Sequence, residues 1–191
     1  SLPLVATINK QLYLYNFHTK QCKNILVNSQ GGGVCYLFHN GDEMYFIYYS
    51  GAVQIINPAN SVQLMANDYL KKIPAPKRFN RFIDSKEDIW VYMNPENSDG
   101  LYHFLPASKT WKHYTTCSSL SLSSSLIRDI EEDQEGNIWV ATDHGGINLI
   151  GKDKTVRYIK NDPFDQKSIS QNSVICLYKD DTGIIWCGTY K

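Results

Sequence analysis

An all-β fold assembled from repeated small antiparallel sheets is what this sequence of 191 residues predicts, on three observations. Two segments align without a gap at an offset of 47, IRDIEEDQEGNIWVAT (Ile127 to Thr142) and VICLYKDDTGIIWCGT (Val174 to Thr189). The match runs back through SLSSSLI (Ser121 to Ile127) over SISQNSV (Ser168 to Val174). Aromatic residues are abundant, with 13 Tyr, 7 Phe and 4 Trp, and such side chains favour strands. No helical 3.6-residue apolar period appears, apart from one turn near Asp68 to Lys72. Repeats of about 40–50 residues with four strands, an aromatic anchor and glycine turns are the signature of β-propeller blades.

The clearest unit fixes the elements. Residues 127–132 read as a first strand, followed by the turn Asp133-Gln134-Glu135-Gly136, where Asp caps the backbone and Gly accepts positive φ. Asn137 to Thr142 form strand two, Asp143-His144-Gly145-Gly146 a second turn, and Ile147 to Ile150 strand three. Lys152-Asp153-Lys154 turns again into the outer strand, Thr155 to Lys160. An earlier copy, FNRFIDSKEDIWVY, places Trp90 in the position of Trp139, its turn read as about one residue shorter. A weaker copy, VCYLFHNGDEMYFIYY, puts Tyr45 there, and Leu4-Val5-Ala6-Thr7 lies over Trp139-Val140-Ala141-Thr142.

The predicted organisation is one partial β-propeller of about four blades over residues 1–191. It comprises a part blade at about 1–28, complete blades at 34–65, 79–115 and 127–160, and a part blade at 174–191. A four-stranded sheet has two apolar faces and covers neither alone, so Trp139 and its equivalents are expected to fill the gaps between stacked blades. The chain opens near one strand two and stops just after another. Its free edges and open face are expected to drive self-association or mutual closure of the part blades.

Composition narrows the function. Lys+Arg and Asp+Glu are 19 each, which argues against a nucleic-acid binder working through a broadly basic surface. The longest apolar run, Met44 to Tyr49, is far short of a membrane span, and no signal peptide opens the chain. Cys22, Cys35, Cys117, Cys176 and Cys187 form no CxxC pair or zinc spacing and read as buried free thiols. If the hairpin about Asp181-Thr182 is symmetric, Cys176 and Cys187 face each other.

Enzyme motifs of the GxSxG, HExxH and P-loop kinds are missing, so no catalytic residue, metal or cofactor is predicted. His103 and His113 could meet across the Pro106–Ser108 turn as solvated imidazoles on an outer strand. Of the acidic run Asp129, Glu131, Glu132 and Asp133, the last belongs to its turn and the others to an exposed strand face. The five cations Lys71, Lys72, Lys77, Arg78 and Arg81 read as a solvated loop between blades. The expected ligand face is formed by the second-to-third-strand turns and the inter-blade loops. It carries Tyr48, Tyr49, Arg128, Asp143, His144, Gln171 and Asn172. Amides, carboxylates and rings of this kind suit sugar hydroxyls and pyranose faces.

The pattern D-x-x-G-x-I-W-x-x-T resembles the two-component regulator propeller repeat. It is full in Asp133-Gly136-Ile138-Trp139-Thr142 and in Asp180-Gly183-Ile185-Trp186-Thr189. Around Trp90 it is partial, without the turn Gly and the Thr, and around Tyr45 degenerate. The resemblance implies a piece of the periplasmic sensor region of a Bacteroidetes hybrid two-component histidine kinase. Its expected partner is an oligosaccharide, with membrane contact only through parts of the parent outside this segment. A protein-interaction propeller is the alternative, and a propeller glycosidase or lyase a third reading. Sialidase Asp boxes and quinoprotein repeats use similar letters, but the first differ in Asp–Gly spacing and carry Thr where this chain has Ile before Trp, and the second place their Trp one residue later.

Overall fold

The computed structural model describes residues 4–6, 12–16, 18–25, 34–40, 43–48, 52–57, 61–66, 79–93 and 99–190. All regular structure among them is strand. The helical turn expected near 68–72 lies outside the described residues, as does most of the basic stretch 71–81. The chain divides into two compact units, residues 1–77 and 78–191.

The first unit contains two sheets. One is three-stranded, in the order β1 (Leu4–Ala6), β2 (Leu12–Asn16), β3 (Gln21–Ile25). The other is a four-stranded meander of β4 (Val34–Asn40), β5 (Glu43–Tyr48), β6 (Ala52–Asn57) and β7 (Ser61–Ala66). Its Tyr45 is buried, as an anchor position requires.

The second unit contains three sheets. The third sheet of the chain runs β8 (Phe79–Ile83), β9 (Ile89–Met93), β10 (Leu101–Leu105), β11 (Thr110–Tyr114). The fourth runs β12 (Ile127–Glu132), β13 (Ile138–Thr142), β14 (Gly146–Ile150), β15 (Val156–Ile159). The fifth is the pair β16 (Val174–Lys179) and β17 (Ile185–Thr189). Four-stranded antiparallel sheets with consecutive strands adjacent are propeller blades, as the repeat predicts.

Alternating side chains on each strand feed two gaps. Trp90, Tyr92 and Leu101 of the third sheet meet Ile127, Ile130, Ile138, Val140 and Ile150 of the fourth, with Leu122 of the intervening loop. Ala141 and Ile147 on the other face of the fourth sheet meet Val174 and Leu177 of the fifth, with Trp139 packed alongside. The three tryptophans are thus one position used three times. Trp90 is 4% exposed, Trp139 half-buried and Trp186 59% exposed, since no other described sheet of this unit covers the face bearing Trp186.

The turn before each tryptophan corrects one expectation. Asp84, Asp133 and Asp180 each donate a backbone N–H to the carbonyl four residues on, Asp88, Asn137 and Ile184. The Trp90 turn is therefore the same length as the others, not shorter. Gly136 and Gly183 take the left-handed position at φ +76 and +88, and Glu87 occupies it at +63. Glu87 stands where the other two turns have glycine, which hides the equivalence in the sequence.

This geometry also sets the register of the last hairpin. A left-handed residue lengthens the loop by one, so Lys179 pairs with Ile185, Leu177 with Cys187 and Cys176 with Gly188. Cys176 and Cys187 do not face each other. Both are free, and Cys22, Cys117, Cys176 and Cys187 are exposed, not buried as expected; the Cys35 side chain lies outside the described residues.

A left-handed residue bearing a Cβ is strained by about 1 kcal/mol relative to glycine. Replacing Glu87 by Gly is expected to stabilise the chain by roughly 0.5–1 kcal/mol, and Gly136→Ala to destabilise it by about 1 kcal/mol. Urea denaturation of the two variants beside the wild type checks the opposite signs.

Candidate functional site

The repeat motif has a structural role. Trp90, Trp139 and Trp186 each donate the indole Nε1–H to the aspartate six residues earlier, at 2.9, 2.9 and 2.7 Å. The other carboxylate oxygen of Asp84 and Asp180 accepts two turn N–H groups, from Lys86 and Asp88 and from Thr182 and Ile184. Asp133 accepts the Asn137 N–H and also its side-chain amide. Burial opposes ionisation of Asp133, but the Trp139 and Asn137 bonds outweigh it and hold the carboxyl below its usual range. At Asp180 the Thr182 hydroxyl and the Trp186 indole lower it to about 2.

The remaining motif positions follow the same logic. The Thr142 hydroxyl donates to the Gly146 carbonyl at 2.8 Å, and Thr189 bonds the Ser170 hydroxyl at 2.8 Å. The motif residues Asp133, Gly136, Trp139, Thr142, Asp180, Gly183, Trp186, Thr189 and Trp90 therefore define turns and the inter-sheet wedge.

The acidic run does more than its sequence suggests. Glu132 is buried, and its carboxylate accepts the Ser85 N–H and hydroxyl from the third sheet, both at 2.7 Å. Asp129 accepts the Leu177 N–H of the fifth sheet at 2.8 Å and the Tyr92 hydroxyl of the third at 3.4 Å. These two are bridges between sheets, not an exposed strand face.

His103 and His113 also differ from expectation. His103 pairs with Lys112 and His113 with Tyr102, so the two imidazoles point to opposite faces and do not meet. His103 is buried against Trp90, and His113 stacks on Tyr102 with centroids 4.2 Å apart. Asp84, Asp88 and His103 bring ligating atoms within 4.8 Å of one another. Three of those oxygen contacts are already made to Trp90, Lys86 and Asp88, and the His103 ring bonds Asp88. The arrangement is that of a turn anchor.

The surface cluster lies at the β13–β14 turn. The β12 edge strand carries a bulge between Ile127 and Asp129, which leaves Arg128 outside the ladder. Bulges at the corresponding place in β4 and β16 leave out Cys35 and Ile175. A bulge re-aims its side chain, and Arg128 reaches back to hydrogen-bond and ion-pair with the Asp143 carboxylate. The other Asp143 oxygen lies 3.0 Å from His144 Nδ1. The Arg128 bond, reinforced by Ser173, lowers the Asp143 carboxyl below its usual range against a smaller desolvation cost. Arg128 Nε is buried without a hydrogen-bond partner.

Loops from both sides grip this turn. Asp143 N–H donates to the Leu126 carbonyl, the Ser123 hydroxyl to the Gly145 carbonyl, and Gly146 N–H to the Asn172 carbonyl, at 2.9, 2.8 and 2.8 Å. His144 has φ +64 and stands exposed at the tip. A Cβ on Gly145 would collide with the Ser123 hydroxyl, so glycine is required there.

Of the expected ligand face, Arg128, Asp143 and His144 come together. Asn172 adjoins them through its carbonyl, but its side chain accepts the Asn161 N–H at 2.8 Å. Tyr48 is fully buried and hydrogen-bonded to Gln54, so it presents no surface to a ligand. Tyr49 lies outside the described residues.

Residues 121–144 and 168–191 match the family described as Two component regulator propeller. No curated protein matches the chain. Among solved structures it is similar to the extracellular domain of a hybrid two component system from B. thetaiotaomicron, at 18% identity and TM-score 0.54, over 100% of this chain and 26% of that one. A second such domain from B. thetaiotaomicron aligns at 18% identity and TM-score 0.51, over 94% of this chain and 24% of the other. YCF48 from Cyanidioschyzon merolae aligns at 15% identity and TM-score 0.55, covering 96% and 59%. At these identities the likeness is one of fold. The chain spans about a quarter of the length of the two bacterial domains.

Removing the Asp133 carboxylate strands a turn N–H and an indole N–H, so Asp133→Ala is expected to cost about 1–3 kcal/mol at neutral pH. The folded carboxyl is lowered, so its contribution is present above the unfolded pKa of about 3.9 and is lost as pH falls through the folded value. Wild type and variant should therefore converge in urea midpoint as the pH is taken below the usual carboxylate range.

Proposed function

For a chain that carries the two component regulator propeller repeat at residues 121–144 and 168–191, we propose a role in an extracytoplasmic, periplasmic sensor. It forms part of the ligand-reading propeller of a hybrid two-component histidine kinase, with an oligosaccharide as the signal. It is a binding module and not a catalyst. The repeat supports the sensor class. The observation that carries the ligand reading is the Arg128–Asp143–His144 cluster, which the repeat itself does not call for. Forty-seven residues on, the same positions hold Ile175, Tyr190 and Lys191, so the cluster is not repeated in the fifth sheet.

The chemistry suits a polyol. Arg128 offers guanidinium donors, while Asp143 offers carboxylate acceptors, and the pair is neutral overall. A sugar hydroxyl can donate to one and accept from the other. Signalling would follow from a ligand that binds one arrangement of a receptor dimer better than another.

A second reading rests on the fifth sheet, which exposes Tyr178 at 62%, Trp186 at 59% and Tyr190 at 71%. An apolar face of this kind fits a protein-interaction platform and self-association. Sedimentation of the wild type and of Trp186→Ser would separate that reading, because an interface through this face requires the variant to become monomeric.

For the sensor reading, calorimetric titration of neutral plant and host oligosaccharides should detect binding. Arg128→Ala should weaken it at least tenfold, the loss of about 1.5–3 kcal/mol in charge-assisted hydrogen bonding. A panel without any binder, or undiminished affinity in the variant, would remove the cluster as the ligand site.

A further inference from the structure

His103 sits where a turn and an inter-sheet contact meet. Its imidazole lies flat on the Trp90 indole, with ring centroids 3.7 Å apart and planes 7° from parallel. Nε2 is 3.0 Å from Asp88 Oδ2, and Nδ1 is 3.5 Å from the Tyr114 hydroxyl. Only 7% of the residue is exposed. Both groups it touches help join the third sheet to the fourth. Trp90 belongs to the same apolar cluster as Ile127, Ile130, Ile138 and Val140. Asp88 closes the turn whose Ser85 holds the buried Glu132 of β12 through two hydrogen bonds.

We propose that His103 is an acid-sensitive latch on the contact between the third and fourth sheets. Neutral, it stays stacked on Trp90 and keeps the Asp84–Asp88 turn docked. Protonated, it is expelled from the stack and loosens both.

The charged surroundings set the direction. The turn contributes Asp84, Lys86 and Asp88, β11 contributes Lys112 opposite His103 and the Tyr114 hydroxyl, and β12 of the facing sheet contributes Glu132 through Ser85. Burial is the main influence, Lys112 and Lys86 add to it and Asp84 opposes it, and together they bring the imidazole down to about 4. A released imidazole takes up its proton near 6.5. Opening is therefore favoured as pH falls from about 6.5 toward the folded value, and the docked state is fully stable only above about 6.5. Asp88 acts in the opposite sense, because burial raises its carboxyl against the pull of Lys86 and Lys112. That effect starts at the ordinary carboxylate value of about 3.9 and extends upward from it, so the loss that sets in near pH 6.5 is the one that belongs to His103.

The test is thermal unfolding of the full chain between about pH 7.5 and about pH 5, beside His103→Gln, whose amide can still bond Asp88 but does not titrate. The wild-type midpoint should drop by several degrees over this range, and the variant should lose less than half as much. The Trp90 indole N–H resonance should shift with pH in the wild type alone. Parallel pH slopes, or an unresponsive Trp90 resonance, would overturn the latch. Should His103→Gln fail to fold, the NMR titration of the wild-type His103 ring decides. A midpoint well below 6.5 supports the proposal, and one at or above 6.5 refutes it.

Discussion

The hydrogen bond from a tryptophan indole to the aspartate six residues before it is the constraint on which the second unit depends. One carboxylate ties a tight turn to a large ring, so the local conformation of a hairpin fixes the pose of the group that fills the inter-sheet gap. Without that bond the indole N–H would be buried unpaired in the Trp90 gap, at a cost comparable to a lost hydrogen bond. The same oxygen pair satisfies turn N–H groups, and the left-handed residue that closes each turn sets the register of the strands that follow. Turn, ring and register are thus one device repeated in three sheets.

A second set of bonds holds the sheets together at their rims. Gly100 and Gly146, both at positive φ, donate their N–H groups to the carbonyls of Ser125 and Asn172 in the loop that follows each blade. Glu132 reaches back to Ser85, Asp129 reaches forward to Leu177, and the Gln134 side chain donates to the Thr182 carbonyl of the next turn. Buried carboxylates used this way are costly unless every oxygen is met, and here each meets donors from a neighbouring sheet. The apolar gap supplies the attraction and these bonds supply its alignment.

The surface cluster exploits that rigid frame. Arg128 reaches Asp143 only because a bulge takes it out of the ladder at the edge of its sheet, while Ser123, Leu126 and Asn172 fix the turn that carries Asp143 and His144. A cluster held from both sides is ordered before anything approaches it. In the same unit, the buried stack of His103 on Trp90 places a titratable group inside the joint between sheets. Sensing of a ligand and of acidity would then use different parts of one architecture.

The sequence by itself determined the repeat, the four-strand unit, the positions of the anchor tryptophans and the turn aspartates, because each is a local requirement written at a fixed spacing. It also put Arg128, Asp143 and His144 on one expected face, but the bulge that brings Arg128 to Asp143 was not written in it. What it could not show depended on backbone conformation or on contacts far along the chain. Glu87 in a glycine's left-handed place, and the one-residue register offset that separates Cys176 from Cys187, follow from φ angles that letters do not specify. The burial of Glu132 by Ser85, and of Tyr48 within its sheet, followed from packing that no strand reveals alone. Exposure was hardest to read, since Trp90 and Trp186 obey the same local rule and differ only in what lies across from them.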